Sequence, residues 1–520
     1  MHDLLFVGAL GLGMRSLVSL ASNKGYRLFA SDAQYGCTKD IVFAQEVIWV
    51  DPSMNLAQIQ EKYGISQLNV IYSTAIKKTH PQRANPPQNC VLLHRAQFLS
   101  LLVGGQKLLS VMGTHGKTST SALLATLLCH TDPSFYCGEL FSYPNQVGLR
   151  SSAVGNGDFF VAEVDESDGS FTHFSPHALL LTNFDGDHFE LWDRCGASLA
   201  LNTPEREFYS AVQKAGLPPQ EAQLRTLAFY LQRINAHLIW CADCPILSAL
   251  VPALQLKKKA LSYGYSPHAQ VQIGKHSGKD AAAEGSLPDM PSADSSALKP
   301  SQSTESFYLK HTGENKQQVW HLYGLYGAHQ VSNMTAAVCC ALSLKFSAEQ
   351  LQDNISKFHG INRRMQQHFF STDNHQHSIA IFDDYAHHPV EIRVTLNAFL
   401  QSQVARQFSK TYLIFEPHRA QRLMQHYTGF CSAFKGVDYL YLLAPFQPCS
   451  TQIEEIDLNR LASDIFKHSL CPCRVLPTNE KARQVMSENK KHGAFIFMGA
   501  GSVSHLAQEI AGDWRRSEGL

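Results

Sequence analysis

Residues Gly113-Thr-His-Gly-Lys-Thr-Ser-Thr120 stand between an apolar run at 108–112 and a helix-like run at 122–129. A strand feeding a glycine-rich turn that opens a helix makes an anion site, because successive backbone N–H groups and the helix N-terminus converge on the same phosphate oxygens. Gly113 and Gly116 let the backbone approach a ligand with no side chain in the way, and Thr114 and Ser119 share the turn. Lys117 has the reach and charge for β- and γ-phosphates, and the Thr118 hydroxyl can enter the shell of Mg²⁺. The spacing Gly-x-x-Gly-Lys-Thr is shorter than a full Walker run, so the strand–turn–helix setting carries the reading. A plain glycine-rich turn with an exposed lysine is the competing account. The setting favours ATP or GTP, with Lys117 expected to be exposed on the loop.

Working outward, Phe159-Phe-Val-Ala162 leads into Glu163-Val-Asp165-Glu166-Ser167-Asp168. Ala178-Leu-Leu-Leu181 leads into Thr182-Asn183-Phe-Asp185-Gly-Asp187-His188. Both are apolar strands whose C-terminal ends carry acids, an amide and an imidazole, and that is the edge of an open α/β sheet where ligands bind. Oxygen donors with one histidine suit Mg²⁺ or Mn²⁺ better than Zn²⁺. An acidic loop is by default a solvated turn, but two of them sharing an edge with a phosphate loop point to a metal. Gly327-Ala-His329-Gln-Val-Ser-Asn333 then enters a long helix at 334–344. Before it, residues 274–306 contain only Leu287, Met290 and Leu298 as large apolar side chains. Such a segment buries too little surface to offset its ordering entropy, so it is expected to be a disordered, overgrown loop between strand-like runs at 270–273 and 307–309.

Upstream, Leu4-Leu-Phe-Val-Gly8 and Gly11-Leu-Gly13-Met14 precede a helix-like stretch at 16–23 and a second strand at 26–30 that ends at Asp32. That is a βαβ unit with glycines at its first turn and an acid after its second strand. The spacing is not Gly-x-Gly-x-x-Gly, so the unit reads as a Rossmann-like site for a nucleotide diphosphate, with a plain tight turn as the alternative. Val70-Ile-Tyr-Ser73-Thr74 is another strand ending in hydroxyls at the ligand edge. Downstream of 358 the alternation repeats. A strand at 378–382 ends in Asp383-Asp384-Tyr385-Ala-His387-His388-Pro389, with proline opening a helix. A strand at 411–415 ends in Glu416-Pro-His418-Arg419-Ala-Gln-Arg422, and 494–498 turns through Gly499-Ala-Gly501 into a last helix. Adjacent His387 and His388 point apart and make a poor zinc pair.

With 520 residues the chain is too long for one core. Lys+Arg and Asp+Glu balance at 44 each, so no global field recruits nucleic acid or an anionic membrane. No apolar run approaches bilayer length, and the N-terminus, whose residues 4–8 read as a buried strand, lacks the form of a signal peptide. A cytoplasmic protein is expected. The 13 cysteines have no framework spacing and read as reduced thiols. Cys241-Ala-Asp-Cys244 and Cys471-Pro-Cys473 lack the further ligands a zinc site requires.

Taken in order, Gly8/Gly11/Gly13, Gly113–Thr118, Glu163–Asp168 with Ser170-Phe171, Thr182-Asn183…Asp187-His188, Gly327…His329…Asn333, Arg363-Arg364, Asp383–Pro389, Pro417-His418-Arg419…Arg422 and Gly499-Ala-Gly501 make a chain that resembles the Mur ligases of peptidoglycan synthesis. The resemblance spans essentially the whole sequence and is nearest to the members that join L-alanine to UDP-N-acetylmuramate. It implies an α/β protein of three domains. These are an N-terminal Rossmann-like UDP-sugar domain (1–107), a central P-loop ATPase domain (108–358) carrying the 274–306 insert, and a C-terminal Rossmann-like amino-acid domain (359–520) that closes over the site.

The resemblance also implies roles, with ATP and Mg²⁺ as cofactors and UDP-N-acetylmuramate and L-alanine as partners. Lys117 would bind the transferred phosphate, Thr118 the first Mg²⁺, and Glu163 and His188 would complete the metal shell. His115 would lie near the reacting carboxylate. Asn333 and His329 would flank the adenine, and Arg364 and Asp384 would hold phosphate and ribose. Gly11, Gly13, Met14, Asp32, Ser73 and Thr74 would belong to the sugar-nucleotide site. Tyr385, His387, Arg419 and Arg422 would bind the amino acid, with His387 a candidate base for the amine. The chain departs from the family pattern at Gln330, usually Asn, and at Ala386, often Gly. It is also some twenty residues longer between His188 and Phe229-Tyr230. A ligase that recycles a preformed tripeptide onto the same sugar shares the phosphate loop and the Asp-Asp-aromatic-Ala-His-His-Pro run. Pro417-His418-Arg419 with Arg422 speaks against it. A P-loop NTPase switch would need neither the second acidic site nor the third, basic one.

Overall fold

The computed structural model describes residues 3–33, 47–144, 146, 148–166, 169–184, 219–234, 236–256, 260–275, 304–312, 317–372, 378–402, 404–418, 420–446, 456–488 and 493–518. These form three sheets flanked by helices, an α/β architecture throughout. The first sheet holds β1 (Asp3–Val7), β2 (Arg27–Ser31), β3 (Ile48–Trp49), β4 (Leu68–Tyr72) and β5 (Cys90–His94) in the order β3-β2-β1-β4-β5, all parallel. Helices α1 (Leu12–Ser22), α2 (Leu56–Tyr63) and α3 (Arg95–Val103) accompany it. Leu4 to Val7 are all buried, as a parallel strand covered on both faces requires. The strand order reverses at β1, so the glycine turn after β1 lies at the switch point where doubly wound sheets bind ligands. The Rossmann-like expectation for this region holds.

The second sheet contains β6 (Lys107–Met112), β7 (Ser134–Ser142), β8 (Leu149–Ala153), β9 (Phe159–Glu163), β10 (Ala178–Leu181), β11 (His237–Cys241), β12 (Ala260–Gly264), β13 (Val271–Lys275), β14 (Thr304–His311) and β15 (Gln317–Tyr323). Its order is β15-β14-β13-β12-β11-β10-β6-β9-β7-β8. Helices α4 (Lys117–Leu127), α5 (Pro219–Arg233), α6 (Pro245–Ala253), α7 (Ala328–Ser343) and α8 (Ala348–Ile355) belong to the same stretch of chain. Strand β6 lies between β9 and β10, parallel to both, so the three ligand-bearing strand ends read from the sequence share one edge. Helix α4 is buried on every face from Ser119 to Leu127, which makes it a core helix. The Asn354 side chain of α8 donates to the Leu127 carbonyl at 2.8 Å and occupies one acceptor that the helix end leaves open. Strands β13 and β14 pair antiparallel, with Lys275 opposite Phe307. The expected 274–306 loop is therefore strand at both ends, because the ladder extends past the apolar residues that marked it. Residues 276–303 lie outside the described residues.

The third sheet contains β16 (Gln366–Thr372), β17 (Ser378–Asp384), β18 (Thr411–Phe415), β19 (Tyr439–Leu442), β20 (Cys473–Val475) and β21 (Gly493–Met498), in the order β16-β17-β21-β18-β19-β20. All neighbours are parallel except β16 and β17. Its helices are α9 (Pro389–Gln401), α10 (Ala420–Gln425), α11 (Tyr427–Ser432), α12 (Leu458–Ser469), α13 (Asn479–Glu488) and α14 (Val503–Glu518). Every residue of β17 and β21 is buried. The first two sheets, apart from the ends of β14 (304–306) and β15 (321–323), fall in one compact unit, and the third, with His321–Val331, falls in another. The ten cysteines described are free thiols. Among the described residues no helix is long and apolar enough to cross a membrane.

Candidate active site

The turn from β6 into α4 is shaped by glycine. Gly113 (φ +143°) and Gly116 (φ +82°) adopt backbone that side chains rarely take, and a Cβ on Gly113 would lie 2.1 Å from Thr182 Oγ1. Neighbouring strands pin the turn. Asn183 Oδ1 accepts from the His115 N–H at 2.8 Å, while Asn183 Nδ2 and the Thr182 hydroxyl donate to the His115 carbonyl at 2.9 and 2.6 Å. Gly116 caps α4 without a side-chain hydrogen bond, so the first turn presents its N–H dipoles to the sheet edge. Asn333 of α7 packs on this glycine, its Oδ1 2.4 Å from where a Cβ would stand.

Lys117 is not the exposed loop lysine expected from the sequence. It is the first residue of α4, its side chain 16% exposed, and Nζ lies 2.9 Å from Glu166 Oε2, which is 2% exposed. The same ammonium donates to the Gly113 carbonyl at 2.6 Å. The reason is the β9 end: Glu163, Asp165 and Glu166 all act on it. Burial alone would push the ammonium down, but these three acids hold it above the ordinary lysine value. Burial pushes the Glu166 carboxyl up, to about 7, against the pull of Lys117. Glu163 Oε2 accepts from the Gly138 N–H at 2.7 Å. Among the described residues no three His, Cys, Asp or Glu side chains form a ready metal cluster. The donors at the opening of α4, the Thr118 hydroxyl and the Glu163 carboxylate, are hard oxygens of the kind Mg²⁺ takes. Asp185, Asp187 and His188 lie outside the described residues.

The β1–α1 turn is the second anion-shaped site of this unit. Gly11 caps α1 with no side-chain bond, leaving that helix N-terminus open as well. Asp32, after β2, accepts from the Leu10 N–H at 3.0 Å, so one of its oxygens shapes the turn. Gly13 lies against Tyr136 and Arg95: a Cβ there would be 2.7 Å from the Tyr136 hydroxyl and 3.4 Å from an Arg95 guanidinium nitrogen. Met14 is a buried core residue. Ser73 and Thr74 follow β4 on the same edge, partly exposed. Neither Arg95 nor Tyr136 was singled out from the sequence. The only available signal was that Arg95 directly follows β5, at the C-terminal edge where such sheets bind ligands.

In the other unit the end of β17 gathers several of the residues singled out from the sequence. Asp384 is buried, accepts from the Met365 and Ala386 N–H groups at 2.9 and 2.8 Å, and is pushed up to about 6 by burial while Arg364 pulls it down. Burial and Arg364 push His329 down to about 4, so its ring is neutral. Arg363 and Arg364 stand over the Tyr385 ring at 4.7 and 5.7 Å. His387 contacts Tyr385 and His418 edge-on, at 5.1 and 5.6 Å between ring centres. Its Nδ1 is 3.0 Å from the Tyr385 carbonyl, which can only accept, so Nδ1 carries the proton and Nε2 the lone pair. Burial lowers its pKa, and Arg422 and Arg364 add to the effect. His388 faces elsewhere and caps α9, accepting from Val390 N–H at 3.3 Å, with Pro389 in the first turn. Glu416 accepts from Ser502 and from the Val503 N–H at 2.7 and 3.0 Å, fixing the Gly499–Gly501 turn. Arg419 lies outside the described residues.

This combination of loops is matched by known proteins. Residues 363–501 match the model of the Mur ligase glutamate ligase domain. The UDP-N-acetylmuramate–L-alanine ligase of Rhizobium johnstonii is 28% identical over 99% of this chain and 97% of its own length. The crystal structure of UDP-N-acetylmuramate-alanine ligase from Thermotoga maritima shares the fold, with a TM-score of 0.70 and 20% identity over 99% of this chain and 100% of that one. The murein peptide ligase of Psychrobacter arcticus follows at a TM-score of 0.60 and 19% identity over 98% of both chains. With its phosphate loop, its three sheets and these relatives, the chain belongs to the Mur ligase family, the ATP-dependent ligases that form amide bonds in peptidoglycan precursors.

Proposed function

We propose that this chain joins L-alanine to the lactyl carboxylate of UDP-N-acetylmuramate, in the cytoplasm where both substrates and ATP are held, through an acyl phosphate. The observation that carries the reading is full-length similarity to ligases named for that reaction, 28% over 99% of the chain. It is supported by a third sheet whose strand end gathers Tyr385, His387, Arg364 and Arg422. The domain limits 1–107, 108–358 and 359–520 belong to the same proposal.

In the first step the carboxylate oxygen bonds to the γ-phosphorus and ADP leaves. Lys117 meets the charge that develops on the transferred group, and the open N-terminus of α4 adds its N–H dipoles. His115 is assigned to the carboxylate side of this loop, and Ser119 and Thr114 to its phosphate side. Mg²⁺, held by Thr118, Glu163 and His188, would neutralise phosphate oxygens when bound with the nucleotide. In the second step the amine nitrogen bonds to the acyl carbon, phosphate leaves and a proton is lost. His387, neutral and with its lone pair on Nε2, is the candidate acceptor. Arg419 and Arg422 take the alanine carboxylate. His329, Asn333, Arg364 and Asp384 are assigned to the nucleotide, and Gly11, Gly13, Met14, Asp32, Ser73 and Thr74 to the sugar nucleotide.

A second reading, ligation of a preformed tripeptide, is favoured by Ala386 and by the murein peptide ligase likeness. Phosphate release measured with UDP-N-acetylmuramate against single amino acids and the tripeptide separates them. L-alanine should be used best. Glycine, one methyl smaller, should be weaker by about 1–3 kcal/mol of transition-state binding, and L-serine by a factor on the order of 10². Preference for the tripeptide would replace the alanine assignment and leave the ATP chemistry in place.

A further inference from the structure

Arg95 joins the two glycine turns of the first unit. It opens α3, and its guanidinium lies 2.7 Å from Asp165 Oδ2, with the two side chains 23% and 34% exposed. The other face of the guanidinium reaches the β1–α1 turn, 3.4 Å from the Cβ position of Gly13. It is also hydrogen-bonded with the Tyr136 hydroxyl, which lies 3.3 Å from the Gly13 carbonyl. On the far side, Asp165 directly precedes Glu166, whose carboxylate grips Lys117 at 2.9 Å. An unbroken path of contacts therefore runs from Gly13 through Tyr136 and Arg95 to Asp165, Glu166 and Lys117.

We infer that Arg95 is a positioning residue that couples the two turns: an anion at the Gly11–Gly13 turn competes with Asp165 for its guanidinium and so loosens the Glu166 hold on Lys117. This rests on the proposed reading of that turn as the sugar-nucleotide diphosphate site. Three features make the arrangement suited to it. Arg95 is bidentate by nature and meets carboxylate and phosphate oxygens with the same fork. Asp165 and Glu166 are neighbours whose carboxylates act on each other and on the Lys117 ammonium, so a change of charge pairing at Asp165 is felt at the Glu166–Lys117 pair. Lys117 cannot serve a phosphate oxygen while its three donors are engaged by Glu166 and by the Gly113 and Thr114 carbonyls. Linkage is reciprocal, so nucleotide at the phosphate loop raises affinity for the sugar nucleotide by the same factor.

The test is the dissociation constant of a non-hydrolysable ATP analogue, measured calorimetrically with and without saturating UDP-N-acetylmuramate and with no amino acid present. The unaltered protein should show tightening of roughly 5- to 150-fold, the usual range for coupled sites. Asp165→Asn keeps size and is partly exposed, and Tyr136→Phe keeps the buried ring. In both variants the ratio should fall toward one while each ligand still binds alone. A role in folding alone would alter both affinities and leave their ratio. An unaltered ratio in both variants, or a ratio of one in the unaltered protein, overturns the coupling and leaves the function reading intact. Failure of UDP-N-acetylmuramate to bind at all overturns both.

Discussion

Replacing Lys117 with alanine removes a cation from two settings, the resting site and the transition state. In the resting site it leaves Glu166, 2% exposed, without its partner. Breaking a buried pair from one side costs about 3–5 kcal/mol, reduced here because burial already pushes Glu166 to about 7 and protonation relieves the charge. During turnover the loss of a preorganised donor lowers the rate by about 10²–10³. Lys117→Ala should therefore be both slow and less stable in a urea melt. Adding Glu166→Gln should recover stability without recovering rate, and near-normal turnover in a folded Lys117→Ala protein would sink the phosphate-loop assignment. Gly113→Ala tests the turn itself. At φ +143° the strain alone is about 1–3 kcal/mol, and the new Cβ would overlap Thr182 Oγ1. Thr182→Ala in the same chain removes that overlap but neither the strain nor the close approach to the Asn183 backbone, 2.9 Å from the Cβ position, so rescue measured by urea midpoint should be partial. At this scale the motif residues were legible because glycine and lysine carry local chemistry. Burial of Lys117 was not, since it depends on an acid 49 residues away.

Helix α3 shows how an element can be tied to a proton. His94 ends β5, caps α3 by accepting from the Ala96 N–H at 3.3 Å, and faces His173 across 6.5 Å between ring centres. Burial, with Arg95 and His173 adding to it, pushes His94 down to about 3, and burial pushes His173 to about 4. Both folded values lie below the unfolded one of about 6.5. Between them the unfolded chain binds more protons, so stability is complete above pH 6.5 and is lost as pH falls toward 4 and then 3. For His94 alone the loss between pH 6.5 and 4 is on the order of 3 kcal/mol. His94→Asn retains a capping side chain and removes the proton site. Its urea midpoint should vary less with pH over that range than the unaltered protein's, and equal slopes would remove His94 from the account. Element identities such as β1, β6, β9, β10 and β17 were readable as short apolar runs bounded by glycine or acids. The cap at His94 was hidden because histidine is not a usual capping residue. The strand end at Gly274 and Lys275 was hidden because these side chains are small or polar and only the ladder with the facing strand makes them strand.

On the scale of the molecule, the α/β alternation and the glycine turns foretold three sheets. They did not foretell that the first two would form one compact unit. That union rests on pairs far apart in the chain. The Ser16 hydroxyl meets Ser151 Oγ at 2.8 Å, Ser152 donates to the Ser16 carbonyl at 3.1 Å, and Arg95 meets Asp165. Serines carry no sequence signal for such contacts. The 274–306 insert belongs to this scale too, because its effect depends on what it joins. Its flanking strands are hydrogen-bonded neighbours, Lys275 opposite Phe307, so the two ends already stand where a short turn can connect them. Replacing residues 276–303 with about six Gly/Ser/Asn residues shortens the loop and changes closure entropy by only about 1.4 kcal/mol, in the stabilising direction. Composition gives the segment few apolar groups with which to contribute to a core. The shortened protein should therefore melt at the same temperature or slightly higher. It should also retain phosphate release dependent on UDP-N-acetylmuramate and L-alanine. A shortened protein that folds and binds nucleotide yet makes no product would show instead that the insert supplies part of the site or of an assembly the reaction needs.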